Sequence, residues 1–222
     1  MGDAGSAVPL ELLNDHAHLE KKAATNALEL LHRWPEPSPP ENRVAAMTAG
    51  ARDEVEHLAV VCRLLSRRGG RLTKSHSNPY ASALHGLARK GAGVRAGAEL
   101  VDRLLISALV EVRSCERFLL LSRACADEEL ARLYRALWAS EHGHYLSFLQ
   151  LAQKVQGAEE VERRWEEMLE AEAGIIRGQG VGPRMHSGVR SGTTPPRTSR
   201  IGIDCVRHIW RFESKVLMKT EL

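Results

Sequence analysis

Cysteine is sparse in this chain, and Cys62, Cys115, Cys125 and Cys205 stand far apart with no Cys-x-x-Cys pair among them. That usage predicts reduced thiols in a cytoplasmic protein rather than a disulfide framework. No stretch approaches the roughly 20 uninterrupted apolar residues of a bilayer span, so no membrane segment is expected. Residues Met1–Leu13 lack the basic start and apolar run of a secretory signal. Period-two alternation of β-branched residues is almost absent, which argues against a β architecture. No glycine-rich strand–turn–helix motif is present, so neither a flavin nor a nicotinamide site is expected.

What remains is helical pattern and charge. The hydrophobic fraction of 43% is ordinary for a globular chain, and 222 residues suit one domain with extensions or two small ones. The net charge of +3 is unevenly spread: residues 177–222 hold nine Lys/Arg against Asp204, Glu213 and Glu221, so that segment carries +6 and the rest −3. A basic segment of this kind suits either a solvated tail or polyanion binding.

Helical periodicity predicts a first helix over about 15–32, closed by Trp34-Pro35, and a second over about 42–67, closed by Gly69-Gly70. A link of about thirty residues follows, with a short helix near 81–89. A third long helix spans about 96–124 and a fourth about 128–156, with Asp127 as its N-cap. A charged fifth helix covers about 158–175. The Gly, Ser, Thr and Pro content from Gly178 to Gly202 argues against packed structure there, and Ile203–Leu217 suits an isolated amphipathic turn or two. Four long helices with short links one-to-two and three-to-four, and one long crossover between, predict an all-α, ferritin-like four-helix bundle.

Such bundles hold two metal ions with one Glu from each of two helices and Glu-x-x-His from each of the other two. At i, i+3 the Glu and His share a helix face. Four carboxylates balance the four charges of two divalent irons, which makes burying the ions tolerable. The chain has three Glu-x-x-His matches: Glu29/His32, Glu54/His57 and Glu141/His144. Glu54/His57 and Glu141/His144 lie mid-helix beside apolar neighbours, whereas Glu29/His32 sits at a helix end and is set aside as surface. Glu20 precedes Glu54 by 34 residues and Glu111 precedes Glu141 by 30, as in two related hairpins. The predicted ligand set is therefore Glu20, Glu54, His57, Glu111, Glu141 and His144. The alternative is that these faces are exposed and the pairs accidental. Glu116 rivals Glu111, but Arg113 and Arg117 suit it to ion pairing. His16, one turn before Glu20, is expected beside the site rather than in it, and Tyr134 and Tyr145 are expected in the core.

These positions fall in longer strings: Asp15-His16-Ala17-x-x-Glu20-Lys21-Lys22-Ala23-Ala24, Asp53-Glu54-x-x-His57, Glu111-x-Arg113-Ser114-Cys115-Glu116-Arg117-Phe118 and Ser140-Glu141-x-x-His144. Together they resemble the bacterial tRNA 2-methylthio-isopentenyladenosine hydroxylases, over about residues 10–188 and ending on Met185-His186-Ser187-Gly188. The Arg-Ser-Cys-Glu-Arg-Phe string is the most specific part. Residues 189–222 match nothing in that family's pattern and are expected to form a separate basic, disordered tail after a domain spanning 1–188. The resemblance implies a di-iron monooxygenase that hydroxylates the isopentenyl group of the modified adenosine beside the tRNA anticodon, with O₂ as co-substrate. It implies tRNA carrying a prenylated adenosine and an external electron-transfer partner. Arg67, Arg68, Arg71, Lys74, Arg89, Lys90 and Arg95 of the crossover are candidates for phosphate contact. A ferritin-like ferroxidase or iron-storage protein, and a metal-free helical interaction module, are the competing readings. The electron donor, the particular tRNAs and the oligomeric state are not specified by the sequence.

Overall fold

The computed structural model describes residues 10–34, 38–91, 94–95 and 97–188. Six helices account for nearly all regular structure in these segments: α1 (Leu10–His32), α2 (Glu41–Arg67), α3 (Pro79–His85), α4 (Ala98–Ala124), α5 (Glu128–Gln156) and α6 (Ala158–Gly178). Among the described residues there is no strand, and no helix is long and apolar enough to cross a membrane.

The helix ends follow local chemistry. Asp127 caps α5, its carboxylate accepting from the Glu129 and Leu130 amides, and Glu128 and Glu129 sit where the helix dipole favours negative charge. Asn78 caps α3 by accepting from the Ala81 amide, with Pro79 following it. α2 stops where Gly69 turns to φ 83°, and the Gly70 amide returns to the Leu65 carbonyl at 2.9 Å. Only a glycine adopts that conformation cheaply.

α1 packs along α2 and α4 along α5, as the short links require, and these two hairpins face one another across α1·α4 and α2·α5. The result is the ferritin-like bundle, with α3 lying in the crossover and α6 against α4 and α5. Leu13, Leu65, Leu104, Leu105, Leu109, Tyr134 and Tyr145 are fully or almost fully buried. Trp165 of α6 is likewise buried, its ring 6.1 Å from that of Tyr145.

Two expectations need correcting. α1 begins at Leu10, five residues before the predicted start, because Leu12 and Leu13 join the apolar face that the Asp15 boundary had excluded. Residues 179–188, expected to be unpacked from their composition, form an ordered strap. Met185 enters the core and its amide donates to Asp15 Oδ2 at 2.9 Å. His186 is buried against the Tyr80 ring, and Arg117 donates to the Ser187 carbonyl at 2.7 Å. A side chain at Gly188 would collide with the Gln179 carbonyl oxygen. The predicted tail (189–222) and its amphipathic turns lie outside the described residues.

Candidate metal centre

Two helical turns bring the site's residues together. Glu54 and His57 lie one turn apart on α2, as do Glu141 and His144 on α5, and single glutamates face them from α1 (Glu20) and α4 (Glu111). Donor atoms of Glu20, Glu54, His57 and Glu141 all lie within 4.8 Å of one another, and so do those of Glu54, Glu111, Glu141 and His144. Glu54 and Glu141 belong to both groups. All four glutamates are 5% exposed or less, a level that carboxylates reach only when paired or bound to a cation.

The histidines aim Nδ1 at the carboxylates. His144 Nδ1 lies 2.8 Å from Glu54 and 3.3 Å from Glu141, and its Nε2 lies 3.5 Å from Asp53 Oδ2. A carboxylate on the outer ring nitrogen fixes both tautomer and orientation of a metal-binding imidazole. His57 Nδ1 sits 3.3 Å from Glu141 and 3.5 Å from Glu20, oriented so that it makes no hydrogen bond to either. That contact is one of charge.

The electrostatics mark a demand for positive charge. Burial, reinforced by the neighbouring Glu141 charge, pushes Glu54 up to about 8. Burial likewise raises Glu20, and raises Glu111 well above the usual carboxylate range. Glu141 moves the other way: against its burial, His144, His57 and Glu111 hold it well below that range. Burial disfavours imidazolium at His57 and His144, yet the surrounding carboxylates push them up to about 12 and about 10. Without metal the cluster holds itself together with protons.

Glu116, the rival for Glu111, points away from the cluster and pairs with Arg113, which also binds Glu172 at 2.9 Å through Nε and through Nη2. Tyr80 donates to the same Glu172 at 2.9 Å. Glu29 is exposed and pairs with Arg33. His16 lies against the site: its Nε2 is 2.5 Å from Glu20 Oε1, and burial lowers it to about 4. Two functional neighbours were not singled out in the sequence. Asp53 was visible only as the residue before Glu54. Asp15 accepts from both His76 (2.7 Å) and Met185 and so ties α1 to the crossover and the strap; no local periodicity signals that role.

A cleft of about 380 Å³ opens between α1, α2 and α5 and ends on Glu54, Glu111 and His144. Small residues line most of it, with Met47 and Phe148 as its larger apolar walls. A second space, of about 20 Å³, lies beside His16 and Glu20 and is closed by Phe118 and Met185. Of the seven crossover cations proposed for phosphate contact, four are already paired with carboxylates. Arg67 bonds Glu129, Arg68 bonds Asp127 at 2.6 Å, Arg89 bonds Asp102 at 2.8 Å and Arg95 bonds Glu160 at 2.6 Å. Arg71, Lys74 and Lys90 are exposed.

A ferritin-like bundle with four buried carboxylates and two imidazoles in overlapping groups defines a protein with a candidate metal site in its core. The chain belongs to the tRNA-(MS[2]IO[6]A)-hydroxylase (MiaE) family, whose model matches residues 4–187. A protein of Pseudomonas putida, named tRNA 2-(methylsulfanyl)-N(6)-isopentenyladenosine(37) hydroxylase, is 37% identical over 178 residues, covering 80% of this chain and 83% of the relative. A Salmonella typhimurium protein of the same name is 33% identical over 138 residues, covering 62% of this chain and 49% of the relative. Among solved structures, a Synechococcus protein described as having aldehyde deformylating oxygenase activity superposes with a TM-score of 0.73 at 34% identity, over 84% of this chain and 90% of that one.

Proposed function

We propose that this chain hydroxylates the isopentenyl group of 2-methylthio-isopentenyladenosine in tRNA, beside the anticodon, at a di-iron centre held by Glu20, Glu54, His57, Glu111, Glu141 and His144. One observation carries the reading: the six side chains divide into two overlapping groups that share Glu54 and Glu141. Such a set would hold two cations, with Glu54 and Glu141 within reach of both and Glu20, His57, Glu111 and His144 completing the donors. The family membership and the relatives' names supply the substrate.

The donor set fits iron. Four carboxylates offset the charge of two divalent ions, and neutral imidazoles complete the coordination without adding charge. Bound iron would supply reductive activation of O₂, which an unactivated allylic methyl requires because it offers no acidic proton. The net change is one O₂, two electrons and two protons consumed, with one oxygen atom placed on carbon and the other leaving as water. The electrons come from an external donor.

The chain's own residues do the rest. Asp53 orients His144, and His16 sets the position of Glu20. The cleft receives the prenyl group between Met47 and Phe148 and keeps water from the reacting carbon. The base leaves its stack to enter, as in other enzymes that act on a base. Arg71, Lys74 and Lys90 remain for phosphate contact.

The test is reconstitution. Purified chain loaded with Fe(II), given prenylated tRNA, O₂ and a chemical reductant, should place one oxygen atom from labelled O₂ on the modified nucleoside, detected by mass spectrometry. Iron oxidation with no nucleoside product would replace this reading with ferroxidase chemistry.

A further inference from the structure

Three glycines lie in helix interiors, Gly50 of α2, Gly143 of α5 and Gly174 of α6, and the first two line the same cleft. Glycine is a poor choice inside a helix, where alanine is the best former. Packing does not demand it here: a Cβ built on Gly50 or Gly143 meets nothing within 4 Å. No backbone demand exists either, since neither glycine has a positive φ. Both helices thus forgo a more favourable residue at positions that face one space, and that space ends on Glu54, Glu111 and His144. Gly50 stands one turn before Glu54, and Gly143 stands beside His144.

We infer that Gly50 and Gly143 set the width of the cleft for the prenyl-bearing base and are specificity-determining positions of this enzyme. The inference rests on the function proposed above and adds to it the residues that admit the substrate. Bare α-carbons on α2 and α5 leave a slot whose walls come from other residues. Both positions line the slot and a Cβ at either meets no other group within 4 Å, so an added side chain narrows the slot without displacing a packed neighbour. The volume of about 380 Å³ lies in the range of small-molecule sites, roughly 300–1,000 Å³.

The experiment compares wild type with Gly50→Ala, Gly50→Leu, Gly143→Ala and Gly143→Leu, each loaded with Fe(II). Two RNA probes are used: an anticodon stem-loop carrying 2-methylthio-isopentenyladenosine, and the same stem-loop with plain adenosine. Helicity and iron content should match wild type in all four variants. The alanine variants should melt higher by roughly 2–4 °C each, since they gain helix propensity and lose no contact. Wild type should bind the prenylated stem-loop at least about 10-fold more tightly than the plain one, the scale set by apolar groups in a pocket. The leucine variants should bind the two alike, with kcat/KM down on the order of 100-fold, and the alanine variants should fall between.

Leucine variants that keep both the preference and the rate overturn this inference and leave the proposed function standing. A wild type that hydroxylates neither stem-loop, yet prefers the prenylated one through a preference the leucine variants lose, supports the inference and overturns the proposed function. A wild type with neither preference nor product overturns both. Should a leucine variant fail to fold, the graded alanine variants decide: unchanged preference with raised melting temperature counts against the inference.

Discussion

Adding Fe(II) anaerobically to the metal-free chain at pH 7 sets the metal against protons that the cluster already holds. Glu54 at about 8, His144 at about 10 and His57 at about 12 all carry a proton at that pH. Burial raises Glu20 and Glu111 as well, and metal loading should release protons, three of them from Glu54, His144 and His57. The same protons govern the stability of the metal-free fold. In the unfolded chain the carboxyls titrate near 4.5 and the imidazoles near 6.5. The Glu54 contribution is therefore fully present below about pH 4.5 and is lost as pH rises through about 8. The histidine contributions are present below about 6.5 and are lost as pH rises through about 10 for His144 and about 12 for His57. Each extra proton on the folded state steepens the loss by about 1.4 kcal/mol per pH unit, against a total stability on the order of 5–15 kcal/mol. The metal-free melting temperature should thus fall between pH 6 and 9, and the metal-loaded profile should be flatter, since metal replaces the protons. Calorimetric titration in buffers of different ionisation enthalpy counts the protons released, and a thermal-melt series gives the slope. A buffer-independent heat together with a flat metal-free profile refutes the electrostatic account of the cluster.

Glu111→Ala should lose metal and activity together, whereas Glu116→Ala should keep most of its metal, its charge partner being Arg113; metal analysis of both variants decides, and the opposite result moves the donor by five residues. Trp165→Ala, at a position with no exposed surface, should cost about 3–5 kcal/mol in denaturant unfolding, and a loss below about 1 kcal/mol would contradict the packing of α6 on α5. Truncation after Gly188 should leave helicity and metal content unchanged while making tRNA binding weaker and less salt-dependent, because nine Lys/Arg lie at or beyond residue 177 and seven of them follow Gly188. Loss of metal on truncation would place the domain boundary further along the chain.

The helices and the clustering of six side chains were legible because both are written in short-range pattern. A Glu and a His three apart share a face whatever the tertiary structure, and Asp127 followed by two glutamates is a local helix start. Glu20 and Glu111 were harder, since a lone glutamate has no motif, and they were found through matched spacing to the two pairs. What could not be read depends on partners distant in sequence. The strap looks unpacked by composition, yet it is held by partners far away in sequence: the Met185 amide bonds Asp15, 170 residues away, His186 packs on Tyr80, and Arg117 bonds the Ser187 carbonyl. Arg67 and Arg68 looked available for phosphate until α5 brought Asp127 and Glu129 beside them. Glycine at 50 and 143 reads as mild helix weakness in sequence, and only the shared cleft gives it a purpose.

Met185, which walls the small space beside His16 and Glu20, is synthesised long after the residues it covers. The last of the six clustered side chains, His144, leaves the ribosome 41 residues ahead of it, as counted from 145 through 185. At about 5–20 residues per second the His16 end of the cavity stays uncovered for roughly 2–8 s of synthesis. All six clustered side chains are thus made before the residue that closes the His16 end, while the larger cleft reaches Glu54, Glu111 and His144 without passing the strap.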